Sequence, residues 1–205
     1  MTLNTIEEIL EDVRQGKIII VVDDEDRENE GDFVVSGEKV TPEIINFMVT
    51  HGKGLLCAPL SKERCKALGL SSMTQENTSL LDTPFTISVD LRGYGCSTGV
   101  SAHDRAATIR AIVCGDIQPN ELARPGHVFP LYGHKNGVLG RDGHTEALLD
   151  LTRMAGLKPG GALIEILNQD GTMARLPQLF EIAEKFQLKI TTIKNIQDYR
   201  KKNNI

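Results

Sequence analysis

Between Asp23 and Asp32 the chain carries seven acids, Asp23, Asp24, Glu25, Asp26, Glu28, Glu30 and Asp32, and one base, Arg27. Asp24, Asp26, Glu28, Glu30 and Asp32 alternate along the chain. On an extended backbone, alternation points them all to one side. Carboxylates gathered in that way repel unless a cation or bound protons intervene. Runs of charge ordinarily form a solvated face. This one follows directly on the β-branched run Ile18 to Val22 and precedes Phe33-Val34-Val35. It is therefore expected to be a loop between two strands, where functional residues concentrate. Asp26, Glu28, Glu30 and Gly31 fit the first, third, fifth and sixth positions of an EF-hand calcium loop, but the twelfth falls on Gly37 and no helix enters. That site is excluded. Arg27 either neutralises the acids or offers a planar fork to a phosphate or sugar hydroxyl.

His51, His103, His127, His134 and His144 show no HExxH spacing, and Cys57, Cys65, Cys96 and Cys114 no CxxC spacing. Zinc is not expected. A carboxylate-rich site with one imidazole suits Mg²⁺ or Mn²⁺. His144 is the best placed imidazole, within Arg141-Asp142-Gly143-His144-Thr145-Glu146 at the mouth of an expected helix. Free N–H groups there favour anions, and with Arg141 and Thr145 they make a phosphate site. The loop Gly93 to Gly99 matches neither a P-loop nor GxGxxG. Arg124-Pro125-Gly126-His127 reads as a turn delivering a histidine to the start of a strand. Glu165 is a lone acid in Ala162-Leu163-Ile164-Glu165-Ile166-Leu167. A buried carboxyl is costly unless paired or metal-bound, and a raised pKa suits a general acid or base near neutral pH. Cys65 and Cys114 read as small buried hydrophobes, while Cys57 and Cys96 stand near glycines that could border a site.

These groups must be carried by a fold. The 205 residues are 40% hydrophobic and 25% charged, with a net charge of −5. That composition is globular rather than disordered, and the balance argues against binding nucleic acid. No apolar run approaches the roughly 18 residues that span a bilayer. The N-terminus lacks the marks of a secretory signal, so reduced thiols and a cytoplasmic setting are expected. There is no Trp.

Thr5 to Glu8 is a capping box opening a helix that stops at Gly16. Strands are expected over Lys17–Val22, Phe33–Val35, Gly54–Ala58, Phe85–Leu91, His127–Leu131, Gly161–Leu167 and Lys189–Ile193. Helices are expected after Thr41-Pro42, over Lys62–Leu68, after a second capping box Ser101 to Asp104, from Thr145 to before Gly156, over Pro177–Phe186 and in the charged tail. The interleaving predicts an α/β or α+β domain, a layered sandwich with a mixed sheet flanked by helices.

Asp23-Asp24-Glu25-Asp26-Arg27-Glu28-Asn29-Glu30-Gly31-Asp32 resembles the signature acidic loop of the 3,4-dihydroxy-2-butanone-4-phosphate synthases of riboflavin biosynthesis. Ser97 to Arg105, Arg124 to Leu131, Gly143 to Ala147 and Gly171-Thr172-Met173-Ala174-Arg175-Leu176 agree. Departures are modest: Asp142 stands where a small residue is usual, and Cys96-Ser97 where threonines are common. Bifunctional relatives continue into a GTP cyclohydrolase II domain near Tyr199; the expectation here is a single synthase domain over residues 1–205.

The resemblance implies a lyase, a homodimeric α/β sandwich that converts D-ribulose 5-phosphate into 3,4-dihydroxy-2-butanone 4-phosphate and formate. It implies Mg²⁺ or Mn²⁺, two ions per active site. By motif, Glu28 and His144 hold the metals. Arg27, Glu28, Asp32, Thr98, Glu165 and the run Arg141, Asp142, Gly143, His144, Thr145 hold substrate. His127 and Glu165 are implied to be essential for catalysis, and Glu30 and Asp32 are expected to handle protons at the sugar hydroxyls. Each site is expected to draw its acidic loop from one chain and His127 from the other.

The residues alone leave two other classes open. One is another Mg²⁺-dependent sugar-phosphate isomerase or aldolase, which would release no formate. The other is a non-catalytic cation-binding module, which accounts for the acids but not for Glu165, nor for Arg141 and Thr145 beside His144.

Overall fold

The computed structural model describes residues 2–205. The first half of the chain forms α1 (Ile6–Gln15), β1 (Ile19–Val22), β2 (Gly31–Ser36), α2 (Pro42–His51), β3 (Cys57–Leu60), α3 (Lys62–Ala67) and β4 (Val89–Leu91). The second half forms α4 (Ala102–Cys114), β5 (Leu122–Tyr132), α5 (His144–Met154), β6 (Gly161–Glu165), α6 (Leu176–Phe186), β7 (Lys189–Thr192) and α7 (Ile193–Asn203). The strands make one mixed sheet in the order β4-β5-β3-β6-β2-β1-β7. The β1–β7 and β3–β5 pairs are parallel and the rest antiparallel.

Alternation along the central strands builds two cores. Ile18, Ile20, Val22, Phe33 and Val35 join Met48 of α2, Ile109 of α4 and Leu179 of α6 on one face. Ile19, Val21 and Val34 join Ile9 of α1, Leu148 of α5 and Ile196 of α7 on the other. A strand covered on both faces needs apolar residues at every position, which is why β1 reads as an unbroken run. The result is the expected layered sandwich. Among the described residues no helix is long and apolar enough to cross a membrane.

The Thr5 box is complete: Glu8 N–H donates to Thr5 Oγ1 at 3.3 Å and Thr5 N–H to Glu8 Oε2 at 2.9 Å. The expected box at Ser101 forms only by half. Asp104 N–H donates to Ser101 Oγ at 3.0 Å. The Asp104 carboxylate, a methylene shorter than the usual Glu, turns back to the glycine loop and accepts from Ser97 N at 3.1 Å, Ser97 Oγ at 2.8 Å and Gly99 N at 3.0 Å. Burial opposes its ionisation, but these donors outweigh burial and hold it below the usual carboxylate range.

Several boundaries move. The strand expected from Gly54 begins at Cys57, because Gly54 passes over Glu165: a Cβ there would lie 2.3 Å from Glu165 Oε2. The strand expected over Phe85–Leu91 shortens to Val89–Leu91, Phe85 and Thr86 making only isolated bridges. Arg124-Pro125-Gly126 is not a free turn but lies within β5, with a cis Arg124–Pro125 bond beside a register irregularity at Val89/Asp90. Gly126 is required there, since a Cβ would meet the Val89 carbonyl carbon at 2.0 Å. β6 ends at Glu165, two residues earlier than expected.

Candidate active site

The acidic loop does not stay extended, and its alternating acids do not share one side. Asp24 O accepts from Arg27 N at 3.0 Å and from Asn29 N at 3.2 Å, and Asn29 adopts φ 54°. The chain therefore makes a turn, with Asp23 at its hub. Asp23 Oδ1 accepts from Glu30 N at 2.7 Å, and Oδ2 from Glu28 N and Arg27 Nη1, both at 2.9 Å. Asp24, Glu25 and Asp26 face water. Sending these acids outward relieves the repulsion that an extended strand would impose. Of the alternating set, Glu28, Glu30 and Asp32 turn into a small cavity of about 70 Å³ that opens to solvent. Asp23 escaped the sequence reading; its one signal was its position as the first residue after an apolar strand.

The β2–β6 pairing sets Asp32 directly opposite Glu165. Asp32 is buried and its Oδ1 has no partner. Burial first, then the charges of Glu165, Glu28 and Glu30, push it up to about 8 against the pull of His144. Glu30 is raised as well, by burial and by Glu28 and Glu165. Glu165 is half-buried at the strand end, its Oε2 accepting from Leu55 N at 2.7 Å. The full burial expected of Glu165 belongs instead to its neighbour across the ladder, Asp32.

His144 is the first residue of α5 and is buried. Burial disfavours its charge, but Asp32, Glu28 and Asp23 together raise it to about 9. Its Nδ1 lies 3.6 Å from Glu28 Oε2, and its Nε2 is buried without a partner. His144 above all, with Arg27, holds Glu28 down at about 2 despite burial. Donor atoms of Asp23, Glu28 and His144 lie within 4.8 Å of one another. Two carboxylates and one imidazole, whose Nε2 has no partner, fit a hard divalent cation.

The α5 start lacks a side-chain cap at Gly143, which leaves its first N–H groups to a ligand. Arg141 reaches the same end, its Nη1 donating to the fully buried Glu146 at 2.9 Å and its Nη2 to Leu81 O at 3.2 Å. A Cβ at Gly143 would strike Arg141 Nη1 at 2.1 Å. Thr145 lines the cavity, as do Arg27 and Cys57. Burial, then Glu165 and Asp32, push the Cys57 thiol up, so it stays protonated. Asp142 stands outside the cavity, 60% exposed, facing Arg27 Nε at 3.5 Å. Cys96 lies outside it too.

His127 and Thr98 stand apart from the cavity. His127 Nδ1 lies 2.6 Å from Asp90 Oδ2, and its backbone N–H donates to Asp90 Oδ1 at 2.8 Å. Next to Thr98, Gly99 packs so closely on Asp90 that a Cβ would lie 2.1 Å from its Oδ2. Thr98 is exposed, the His127 side chain is 49% exposed, and neither borders the cavity. Asp90 is another residue that sequence reasoning passed over.

Residues 7–199 match the family described as 3,4-dihydroxy-2-butanone 4-phosphate synthase. The chain belongs to that family. The riboflavin biosynthesis protein RibBA of Parabacteroides distasonis is 61% identical over 198 residues, which are 97% of this chain and 49% of that protein. The 3,4-dihydroxy-2-butanone 4-phosphate synthase of Photobacterium phosphoreum is 51% identical over 202 residues, 98% of this chain and 55% of that one. The chain thus spans about half the length of the curated relatives it matches. A crystal structure of a 3,4-dihydroxy-2-butanone 4-phosphate synthase in complex with two magnesium ions superposes with a TM-score of 0.94 at 38% identity, covering 98% of this chain and 99% of that one.

Proposed function

We propose that this chain converts D-ribulose 5-phosphate into 3,4-dihydroxy-2-butanone 4-phosphate and formate. The observation that carries the reading is the meeting, in one cavity, of Asp32 and Glu165, of Glu28 and His144, and of Arg141 and Thr145 at the open start of α5. Membership of the synthase family supports the choice of substrate.

In this reading Glu28 and His144 hold Mg²⁺ or Mn²⁺, two ions per site, with Asp23 as a further donor; a divalent cation is supported by the similar structure in complex with two magnesium ions. When bound, the cation stabilises the negative charge that builds on substrate oxygens after a proton leaves the carbon beside the ketone. The α5 N–H groups, Arg141, Gly143 and Thr145 take the phosphate, and Arg27 from the acidic turn, with Asp142 of the loop before α5 facing it, closes the site. Glu165, with one oxygen anchored by Leu55 N–H, is placed to accept a proton. Asp32, protonated up to about pH 8, is placed to donate one, and Glu30 beside it to pass protons at the sugar hydroxyls. The same groups serve each later proton transfer through skeletal rearrangement and loss of formate.

His127 and Thr98 act in the site of the partner subunit of a homodimer. Their distance from the cavity in their own chain supports that arrangement. Residues 1–205 are read as one synthase domain, working in the cytoplasm, in keeping with four free thiols. The test is direct: purified protein with ribulose 5-phosphate and Mg²⁺ should release formate. An isomerised or cleaved sugar phosphate without formate would reject the reading.

A further inference from the structure

The stretch Gly171 to Leu176 has no part in the site so far. Its loop is built to deliver Arg175. Asp170 Oδ1 accepts from Thr172 N at 3.0 Å and from its Oγ1 at 2.7 Å, and Gly171 takes φ +85°. Ala174 N–H then returns to Ile166 O at 3.0 Å, beside the end of β6. Arg175 stands at the N-cap of α6, its own N–H donating to Gln178 Oε1 at 3.1 Å.

From there the half-buried side chain reaches the acidic turn. Arg175 Nη1 donates to Glu28 O at 2.9 Å and also to Asn29 O. Among the described residues, all other hydrogen bonds to the backbone of residues 24–30 are made within residues 23–30, the turn itself. Within the turn these bonds fix its shape, and its placement against the rest of the fold depends on contacts from outside. Arg175 holds the main chain of the turn from outside, beside the side-chain contacts of Arg27 with Asp142 and of Glu28 with His144. It grips the main chain of Glu28, whose side chain faces His144.

We infer that Arg175 is a positioning residue for the cation site, fixing the Glu28 carboxylate at the distance from His144 that a divalent ion requires. The inference rests on the reading above that Glu28 and His144 hold the metal. Groups that orient a ligand without touching the ion typically change metal affinity by roughly 10- to 100-fold when removed.

The experiment is a Mn²⁺ titration read by the free-ion electron paramagnetic resonance signal, on the wild type, Arg175→Met and Glu28→Gln. Arg175→Met keeps the stem and removes the donors. It should bind Mn²⁺ at least about 10-fold more weakly. The melting temperature of its metal-free form should match the wild type, and kcat should recover at saturating metal. Wild-type Mn²⁺ affinity in Arg175→Met overturns the inference, and so does a kcat deficit that excess metal leaves untouched. Should Arg175→Met fail to fold, Arg175→Gln, whose single amide is too short to span both carbonyls, is judged by the same criteria. Failure of the underlying reading looks different: Glu28→Gln would then bind Mn²⁺ as well as the wild type.

Discussion

Asp32 and Glu165 face each other across the antiparallel β2–β6 ladder, one carboxyl sealed in the sheet and the other at its mouth. The two therefore meet different surroundings a few ångströms apart. Burial raises Asp32 to about 8, whereas Glu165 takes a backbone N–H from Leu55.

That burial has a cost in stability with a definite sign. An unfolded aspartate titrates near about 3.9, and folded Asp32 near about 8. Between these values the folded chain keeps a proton that the unfolded chain has lost, so metal-free stability falls as pH rises, by at most about 1.4 kcal/mol per pH unit from this group. His144, raised to about 9, acts in the same direction above its ordinary value of about 6.5. Metal-free Asp32→Asn should therefore lose less stability than the wild type between about pH 4 and 8. Parallel denaturant curves for the two proteins over that range would contradict the assignment.

Removing metal should abolish turnover, and Mg²⁺ or Mn²⁺ should restore it. His144 must shed its proton before it can ligate an ion, so affinity should rise with pH by up to about tenfold per unit below about pH 9. Calorimetric titrations of Mg²⁺ in buffers of different ionisation enthalpy should show proton release at pH 7. Absence of release, or full activity after exhaustive chelation, would count against His144 as a ligand.

Glu165→Gln keeps an oxygen for the Leu55 N–H and loses the acid–base function. It should fold, and kcat should drop by about 10² or more with KM little changed. Steady-state kinetics on the folded variant decide it, and near-wild-type kcat would return Glu165 to a purely structural role.

Subunit sharing is tested by complementation. Glu28→Gln and His127→Ala are each expected to be inactive. After equal mixing and subunit exchange, half of the dimers are mixed, and each mixed dimer has one intact site if the site is shared. Activity should recover to about a quarter of wild type. Zero recovery with exchange proven by mass spectrometry would place both residues in a single chain's site.

Much of this protein is legible locally. The Thr5–Glu8 box with its Gly16 stop, the Thr41-Pro42 helix start and the buried run of β1 depend on neighbours a few residues apart, so the sequence alone determines them. The identity of the cavity groups was legible for a related reason: Glu28, Glu30, Asp32, His144 and Glu165 are chemically conspicuous where they stand. Alternation, however, describes a backbone, not what its N–H groups bond to. Once the Asp23 carboxylate accepts from Glu28 and Glu30, the extended loop becomes a turn and Asp24 and Asp26 go to water. The grip of Arg175 on Glu28 spans 147 residues and Asp90 meets His127 across 37, separations over which no sequence period reports. Only the packed sheet could decide which carboxyl loses its water, because desolvation is a property of surroundings that distant strands bring together.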